Sequence, residues 1–233
     1  MGLAKNIAVF SLVMAVALLA CCGSAVAEDK WNKLVEESGK VLAEVQQMPD
    51  QAIPEDLLRS CKAIAIFPST VSAGFIFGGK YGQGVIMVRD EKTDGWSSPA
   101  IFTIVGGSFG WQIGGQASDF ILVMMNHRCV DGLLQGKFKL GANADVAAGP
   151  VGRTAELSTD IQLKGGILSY SRTRGLFIGA KLEGAVLAEH SDGDYELYGK
   201  DFSAEEILVE NKAPMPKSAD TLLKVLGRYS HKK

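Results

Sequence analysis

The sequence predicts an α+β fold in which many short antiparallel strands, arranged as a sandwich or barrel, lie between helices near the two ends of the chain. Helical amphipathic spacing is clearest near those ends. Between residues 71 and 198, short apolar or alternating runs are separated by Gly, Asp-Gly and Pro, which is typical of strands joined by tight turns. The chain also contains 27 glycines among 233 residues, without a collagen period, and this indicates kinked strands.

The first 27 residues have the organisation of a secretory signal peptide. Lys5 precedes an apolar run from residue 7 to residue 20, which is shorter than the roughly 20 residues of a spanning helix. Two processing routes fit the sequence. Cleavage after Ala27, in the A-x-A pattern AVA, is favoured, and lipidation of Cys21 in LLAC, which resembles a bacterial lipobox, is the alternative. Either route predicts an exported protein, periplasmic or associated with the outer membrane, with residues 28–233 as a single domain.

Five helical segments are predicted from spacing and capping residues. The segment 29–47 has apolar residues at helical spacing, and AIPEDLLRSCK begins a second helix at Pro54. The segment 126–135 is closed by Gly136, SAEE at 203–206 has capping-box spacing, and a last helix starts near residue 218. The apolar stripe of the segment 29–47 either packs on its own sheet or contacts a membrane.

The strand region has recognisable ends and a weak internal repeat. AIAIF (63–67) is expected to stop at Pro68, and RDEKTDGW and EHSDGDY are expected to be hairpin turns. Four stretches share an apolar–any–apolar–Gly–small pattern, which predicts strands that bend or approach a neighbour closely at the small residue. They are FIFGGK (75–80), WQIGGQ (111–116), FKLGAN (138–143) and LFIGAK (176–181).

Two motifs resemble enzyme signatures but lack the required context. GFIFGGKY (74–81) contains the G-x-x-x-x-G-K of a P-loop, yet Tyr81 replaces the magnesium-binding hydroxyl and a strand-like run follows where a helix is required. GGSFG (106–110) matches the G-x-S-x-G of hydrolases, which also needs a helix after the serine. The sequence therefore favours no catalytic residue, and a serine hydrolase acting through Ser108 is a remote alternative.

Cysteine and histidine usage favours neither a metal site nor a cofactor. Cys61 and Cys129 stand amid apolar residues, so buried thiols are favoured over a disulfide between them. The three histidines are scattered, with none of the spacings of a zinc site. HSDGDYE lacks the spacing of an EF-hand loop.

A locally basic stretch occurs at 137–181, where seven Lys or Arg residues accompany three acids although the formal net charge of the chain is −2. Arg172 and Arg174 lie two residues apart in a predicted hairpin turn, where guanidinium groups suit phosphate; a solvated basic turn explains them equally well. Nucleic acid is disfavoured because few aromatic residues alternate with the cations. The lipid-headgroup candidates are Lys80, Arg153, Lys164, Arg172, Arg174 and Lys181.

Three stretches resemble the SYLF domain family. They are LLRSCKAIAIFPSTVSAGFIFGGKYGQGV, GKFKLGANADVAAGPVGR and LSYSRTRGLF, and the resemblance spans about 57–199, followed by a helical extension at 203–231. It implies a curved antiparallel β-sheet or barrel-like core with flanking N- and C-terminal helices. It also implies lipid binding without enzymatic activity, since eukaryotic members bind phosphoinositide membranes and some engage actin, and bacterial members are commonly exported or lipid-anchored. Arg153, Arg172 and Arg174 fall within the family's motifs.

These observations lead to the hypothesis of an exported protein that binds anionic phospholipid membranes through a basic surface, aided by the helix at 29–47. Three alternatives remain open. The protein could be an envelope structural or interaction module with an unknown protein partner, a carrier that holds a lipid inside the barrel, or the Ser108 hydrolase.

Overall fold

A computed structural model describes residues 29–48, 50–74, 77–109, 114–152, 166–173 and 175–230. These residues form six helices and a curled nine-stranded sheet, a half-barrel with helices at its N- and C-terminal ends. The predicted α+β class is confirmed.

The sheet is mixed rather than purely antiparallel. The strands are β1 Ala63–Gly74, β2 Phe77–Val88, β3 Ala100–Phe109, β4 Gly114–Met124, β5 Lys137–Lys139, β6 Val146–Ala148, β7 Ile167–Thr173, β8 Leu176–Gly179 and β9 Val186–Glu189. Their order in the sheet is β5-β9-β3-β2-β1-β4-β7-β6, with β8 also paired to β7. Among the described residues only β6 and β7 pair in parallel.

The helices begin and end near the predicted capping residues. Gly136, with φ of +102°, follows the helix His127–Leu134, and Ser203 and Glu206 form the predicted capping box of the helix Ala204–Leu208. No helix in the described ranges combines the length and the hydropathy needed to cross a bilayer. The helices are α1 at 29–46, α2 Glu55–Ser60, α3 His127–Leu134, α4 Ser191–Tyr198, α5 Ala204–Leu208 and α6 Asp220–Ser230, the last preceded by a 3₁₀ turn Lys217–Ala219.

The prediction that Pro68 ends a strand is wrong, because β1 continues through it to Gly74. A bulge shifts the register of β1 against β4 between Phe67 and Thr70. Proline has no N–H to donate to a neighbouring strand, and an interruption of the ladder is where a sheet tolerates it. Next to it, Ser69 has a φ of +48° and donates its N–H to Asp119 Oδ1 at 2.8 Å.

The prediction of a hairpin turn at EHSDGDY is also wrong, since this stretch enters helix α4. His190 caps the helix, its Nδ1 accepting the N–H of Gly193 at 3.0 Å. Asp192 lies in the first turn, where an acidic group favours a helix start. The capping geometry therefore outweighs the turn preference of the Asp-Gly pair.

Half of the sheet is buried on both faces. The α1 face, which includes Ile64 and Val85, packs against α1, α2 and α6. The α3 face, which includes Phe67 and Phe102, packs against α3 and α5. The stripe of α1, represented by Trp31, is buried on the α1 face, so of the two alternatives for this helix the structure shows packing on its own sheet.

The sheet separates the two cysteines that lie within the described residues. Cys61 belongs to the cluster on the α1 face and Cys129 to the cluster on the α3 face, and both are free thiols. Burial raises the pKa of each thiol to about 11. The prediction of two buried cysteines is confirmed, and no disulfide joins them.

Arg89 is a buried cation that joins three parts of the fold. It lies just beyond β2, and its guanidinium donates to the carbonyl of Leu58 in α2 at 2.7 Å and to the carbonyl of Ser230 in α6 at 2.9 Å. It also pairs with Asp94 at 2.9 Å and lies over the ring of Trp96. A single side chain thus fastens both the second and the last helix to the sheet.

Replacing Arg89 with Met is expected to lower the free energy of unfolding by about 3 kcal/mol or more, because buried carbonyls lose a charged donor. Urea denaturation measures the loss. The matched control is Arg59→Met on α2, whose pairs with Glu55 and Asp56 are on the surface and are each worth about 1 kcal/mol or less. Equal losses in the two variants would contradict the anchoring role.

Asp194 of α4 is a buried acid with one oxygen engaged. Its Oδ1 accepts the N–H of Ile101 at 2.8 Å, whereas Oδ2 has no hydrogen-bond partner among the described residues. Burial, with a smaller contribution from the charge of Glu189, raises its pKa to about 8. The folded state therefore retains a proton that the unfolded chain releases near pH 4.

This difference predicts that the free energy of unfolding falls as pH rises from about 4 to about 8, by up to about 1.4 kcal/mol per pH unit, because the folded state binds the extra proton. Asp194→Asn should remove this slope. Urea denaturation at a series of pH values from about 4 to about 9, which includes both pKa values, measures it. Asp192→Asn, at an exposed position of the same helix, should keep the slope; a slope that survives in Asp194→Asn would refute the assignment.

Candidate functional site

The structure does not gather the described headgroup candidates into one basic site. Lys80, Arg172 and Lys181 lie on β2, on β7 and after β8. The other three candidates, Arg153, Lys164 and Arg174, and the alternative lipidation residue Cys21 lie outside the described residues.

Arg172 holds parts of the fold together. Its Nε donates to Asp119 Oδ2 on the neighbouring strand β4 at 2.7 Å, and its Nη1 pairs with Glu44 of α1. The second oxygen of Asp119 accepts the N–H of Ser69 in the β1 bulge. Burial disfavours the charge of Arg172, but the hydrogen bonds to the two carboxylates outweigh burial and raise its pKa. The guanidinium proposed for a headgroup is thus already bound by two carboxylates.

Lys80 and Lys181 have different surroundings. Lys80 projects from the α3 face, opposite to the face that carries Arg172, and its Nζ lies 4.3 Å from the centre of the Phe120 ring. Burial lowers its pKa. Lys181 is exposed and pairs with Glu183 at 2.9 Å. Opposite faces of one sheet cannot present Lys80 and Arg172 to the same headgroup.

The two enzyme-like motifs lie in strands. Gly79 and Lys80 are inside β2, so no helix N-terminus follows them and the P-loop interpretation is excluded. Ser108 lies in β3, with its backbone paired to Gly78, and the next element described after it is the strand β4. A nucleophile elbow requires a helix at that point.

Beyond the β1 bulge, strands β1 to β4 extend past the helices that cover the rest of the α1 face. Val71 pairs with Tyr81, and Tyr81 pairs with Val105, so the three lie side by side. Tyr81 precedes the buried Val85 by four residues and therefore shares the α1 face. The three residues are 53%, 54% and 47% exposed, and among the described residues nothing packs over them.

The register extends this line of residues across the sheet. Ala117 of β4 pairs with Val71, and Val186 of β9 pairs with Val105. We call Ala117, Val71, Tyr81, Val105 and Val186 the apolar row.

Small residues follow the apolar row toward the end of the strands, where Ala73, Gly79 and Gly107 are exposed and paired in register. A Cβ added at either glycine would meet nothing within 4 Å. The sheet thus presents an uncovered apolar row beside an open backbone surface.

Lysines border the apolar row at the edge strand β5. Lys139 pairs with Val186 and continues the row, and Lys137 pairs with Ala188. Both are exposed, Phe138 between them is buried, and neither lysine forms an ion pair within the described ranges. Both lysines belong to the basic stretch 137–181 but were not among the headgroup candidates; the alternation Lys-Phe-Lys was the signal that both point away from the core.

A shallow cleft lies where α1 begins to cover the sheet. Its volume is about 400 Å³, and it is lined by Asp29, Lys30, Lys33, Leu34, Glu37 and Gln83. Gln83 lies between Tyr81 and Val85 on the α1 face. Because Gln83 lines the cleft together with the first turns of α1, these turns lie next to the apolar row.

Comparison with known proteins identifies related chains. Residues 105–229 match the family model described as "Ysc84: Las17-binding protein actin regulator". An SH3 domain-containing protein of Schizosaccharomyces pombe is 37% identical over 181 residues, which are 76% of this chain and 41% of that protein. Protein YSC84 of Saccharomyces cerevisiae is 33% identical over 180 residues, 76% of this chain and 38% of that protein. The human SH3 domain-containing YSC84-like protein 1 is 31% identical over 205 residues, 84% of this chain and 58% of that protein. The chain thus spans about two fifths to three fifths of the length of these relatives.

Arg172→Ala is expected to lower the free energy of unfolding by about 2 kcal/mol, because Asp119 and Glu44 lose their shared cation. Thermal or urea unfolding measures this change. Lys181→Ala, which removes an exposed pair, should cost about 0.5 kcal/mol or less. If Arg172→Ala unfolded like the original protein, the stabilising link from β7 to Asp119 of β4 and Glu44 of α1 would be ruled out.

Proposed function

The chain belongs to the Ysc84/SYLF family, and from this premise we propose that it is an exported, non-enzymatic protein that binds anionic phospholipid membranes. The observation that carries the proposal is the pair of exposed lysines on β5, Lys137 and Lys139, beside the uncovered apolar row. The signal-peptide pattern of residues 1–27 supports export.

The lysines of β5 supply the electrostatic attraction in this proposal. Each basic residue near an anionic membrane surface contributes about 1 kcal/mol of attraction. Lys137 and Lys139 need not give up an ion partner in the described part of the chain, unlike Arg172, which is held by two carboxylates. Arg153, Lys164 and Arg174 remain candidates for the same role from the sequence.

A protein-interaction module of the envelope is the second candidate. The family model is described as a Las17-binding actin regulator, and an uncovered apolar row can also contact a protein. A carrier with a lipid inside the sheet has less support, since Phe67, Phe102 and Phe120 fill the buried half of the α3 face.

Co-sedimentation with vesicles tests the proposal. The protein is expected to bind vesicles that contain phosphatidylglycerol, to bind pure phosphatidylcholine vesicles weakly, and to lose affinity as salt is raised from about 0.05 M to about 0.5 M, because ions screen the attraction. Replacing both Lys137 and Lys139 with Ala should weaken binding about tenfold or more, at about 1 kcal/mol per lysine.

The matched control replaces Lys217 and Lys224 with Ala, a double change of equal charge at exposed positions near and within α6. Equal losses in the two double variants would indicate attraction to net charge alone and would count against a binding face at β5. If the protein bound neither the phosphatidylglycerol vesicles nor the phosphatidylcholine vesicles, the proposed function would be refuted. An envelope protein recovered with the chain in stoichiometric amount would then favour the protein-interaction module.

A further inference from the structure

We propose that the uncovered end of the sheet enters the interface of the bilayer, with the apolar row at the boundary between headgroups and acyl chains and Lys139 at the level of the phosphates. This inference rests on the proposed function and specifies which part of the molecule penetrates the membrane.

Two uncharged stretches of the chain meet at this end of the sheet. The sequence has no charged residue from 71 to 79 or from 104 to 118. The described residues of these stretches belong to four adjacent strands, which at about 4.8 Å per strand form a surface about 15 Å wide. From Val71 to Gly74 the strand rises about 10 Å, which is similar to the depth of about 5–10 Å that interfacial elements reach.

The backbones of the two inner strands, β1 and β2, are paired on both sides at this end of the sheet. β1 pairs with β2 as far as Gly74–Gly78, and with β4 as far as Gly74–Gly114. β2 pairs with β3 as far as Phe77–Phe109. The two inner strands therefore bring satisfied N–H and C=O groups toward the lipid, as an apolar medium requires.

The edges of the same region limit the depth of entry. The outer side of β3 pairs with β9 only as far as Val105, and the outer side of β4 pairs with β7 only from Asp119 onward. Within the described residues the strand ends beyond these pairs have one unpaired side, and their backbone groups need water or headgroups as partners. Shallow insertion supplies such partners, whereas immersion in the hydrocarbon core does not.

Lysines border this end of the sheet on both faces. Lys139 continues the apolar row, and Lys80 follows Gly79 on the other face. The nearest carboxylate on β4, that of Asp119, is bound to Arg172. Long cationic side chains can place their methylenes on apolar surface while the ammonium reaches phosphate, and Tyr81 suits the same level because its ring is apolar and its hydroxyl is polar.

A fluorescent probe at position 81 tests the insertion. In Tyr81→Cys with Cys21 and Cys22 both replaced by Ser, a thiol-reactive NBD group labels the new cysteine, since Cys61 and Cys129 are buried with raised pKa values. With phosphatidylglycerol vesicles, we expect a blue shift of the NBD emission and quenching by lipids that carry a nitroxide near the headgroup. Tyr195→Cys on α4 is the matched control, because Tyr195 is 56% exposed and Tyr81 54%; its probe should not respond.

Removal of the aromatic ring gives a second measurement. Tyr81→Ser should weaken vesicle binding about tenfold, because the ring no longer buries its apolar area in the bilayer. The affinity is measured in high salt, where ions screen the electrostatic attraction. The unfolding transition of the variant should be unchanged. Tyr195→Ser should change neither property.

The possible outcomes separate this inference from the proposed function. Vesicle binding with a probe at position 81 that stays solvent-exposed would overturn the insertion and leave the proposed function intact. A blue shift that depends on protein concentration without lipid would identify the apolar row as a contact between two copies of the chain and would also overturn it. Loss of all vesicle binding in the unsubstituted protein would refute both.

Discussion

The sheet buries both of its faces along only half of its length, and the rest of the structure follows from that constraint. Apolar runs such as 63–67 and 120–124 place side chains on two sides, so each side needs its own layer of helices. Helices α1, α2 and α6 supply one layer, and α3 and α5 supply the other. The bulge after Phe67 marks where this double cover ends on β1. Beyond it the strands carry glycine, alanine and a few exposed apolar residues, and on the α1 face no layer covers them in the described part of the chain.

The sequence was sufficient for features determined by neighbouring residues. The capping box at Ser203, the stop at Gly136 and the buried strands were all predictable because their causes lie within a few positions. Pro68 and EHSDGDY were misjudged for the opposite reason. A bulge tolerates the proline, and His190 and Asp194 use contacts that the local turn preference does not include.

The candidate site was harder to predict because charge along a chain does not reveal pairing in space. Arg172 stood out as a basic residue in a hairpin, yet its partners Asp119 and Glu44 are 53 and 128 positions away. Lys137 and Lys139 were less prominent, and they alternate with a buried phenylalanine on β5, which pairs only with β9 among the described strands. The apolar row joins residues of five strands through their register, so only the strand order could reveal it. In a sheet protein, the side chains without internal partners are therefore the more informative ones for binding.

The placement of the two cysteines gives each layer of the fold its own chemical reporter. Cys61 lies beneath the layer formed by α1, α2 and α6, and Cys129 beneath the layer formed by α3 and α5. A thiol reagent reaches either sulfur only when the covering layer opens, so the labelling rates of the two residues under native conditions measure two separate opening equilibria. The opening of each face of the sheet can in this way be followed separately, without introducing a cysteine by mutation.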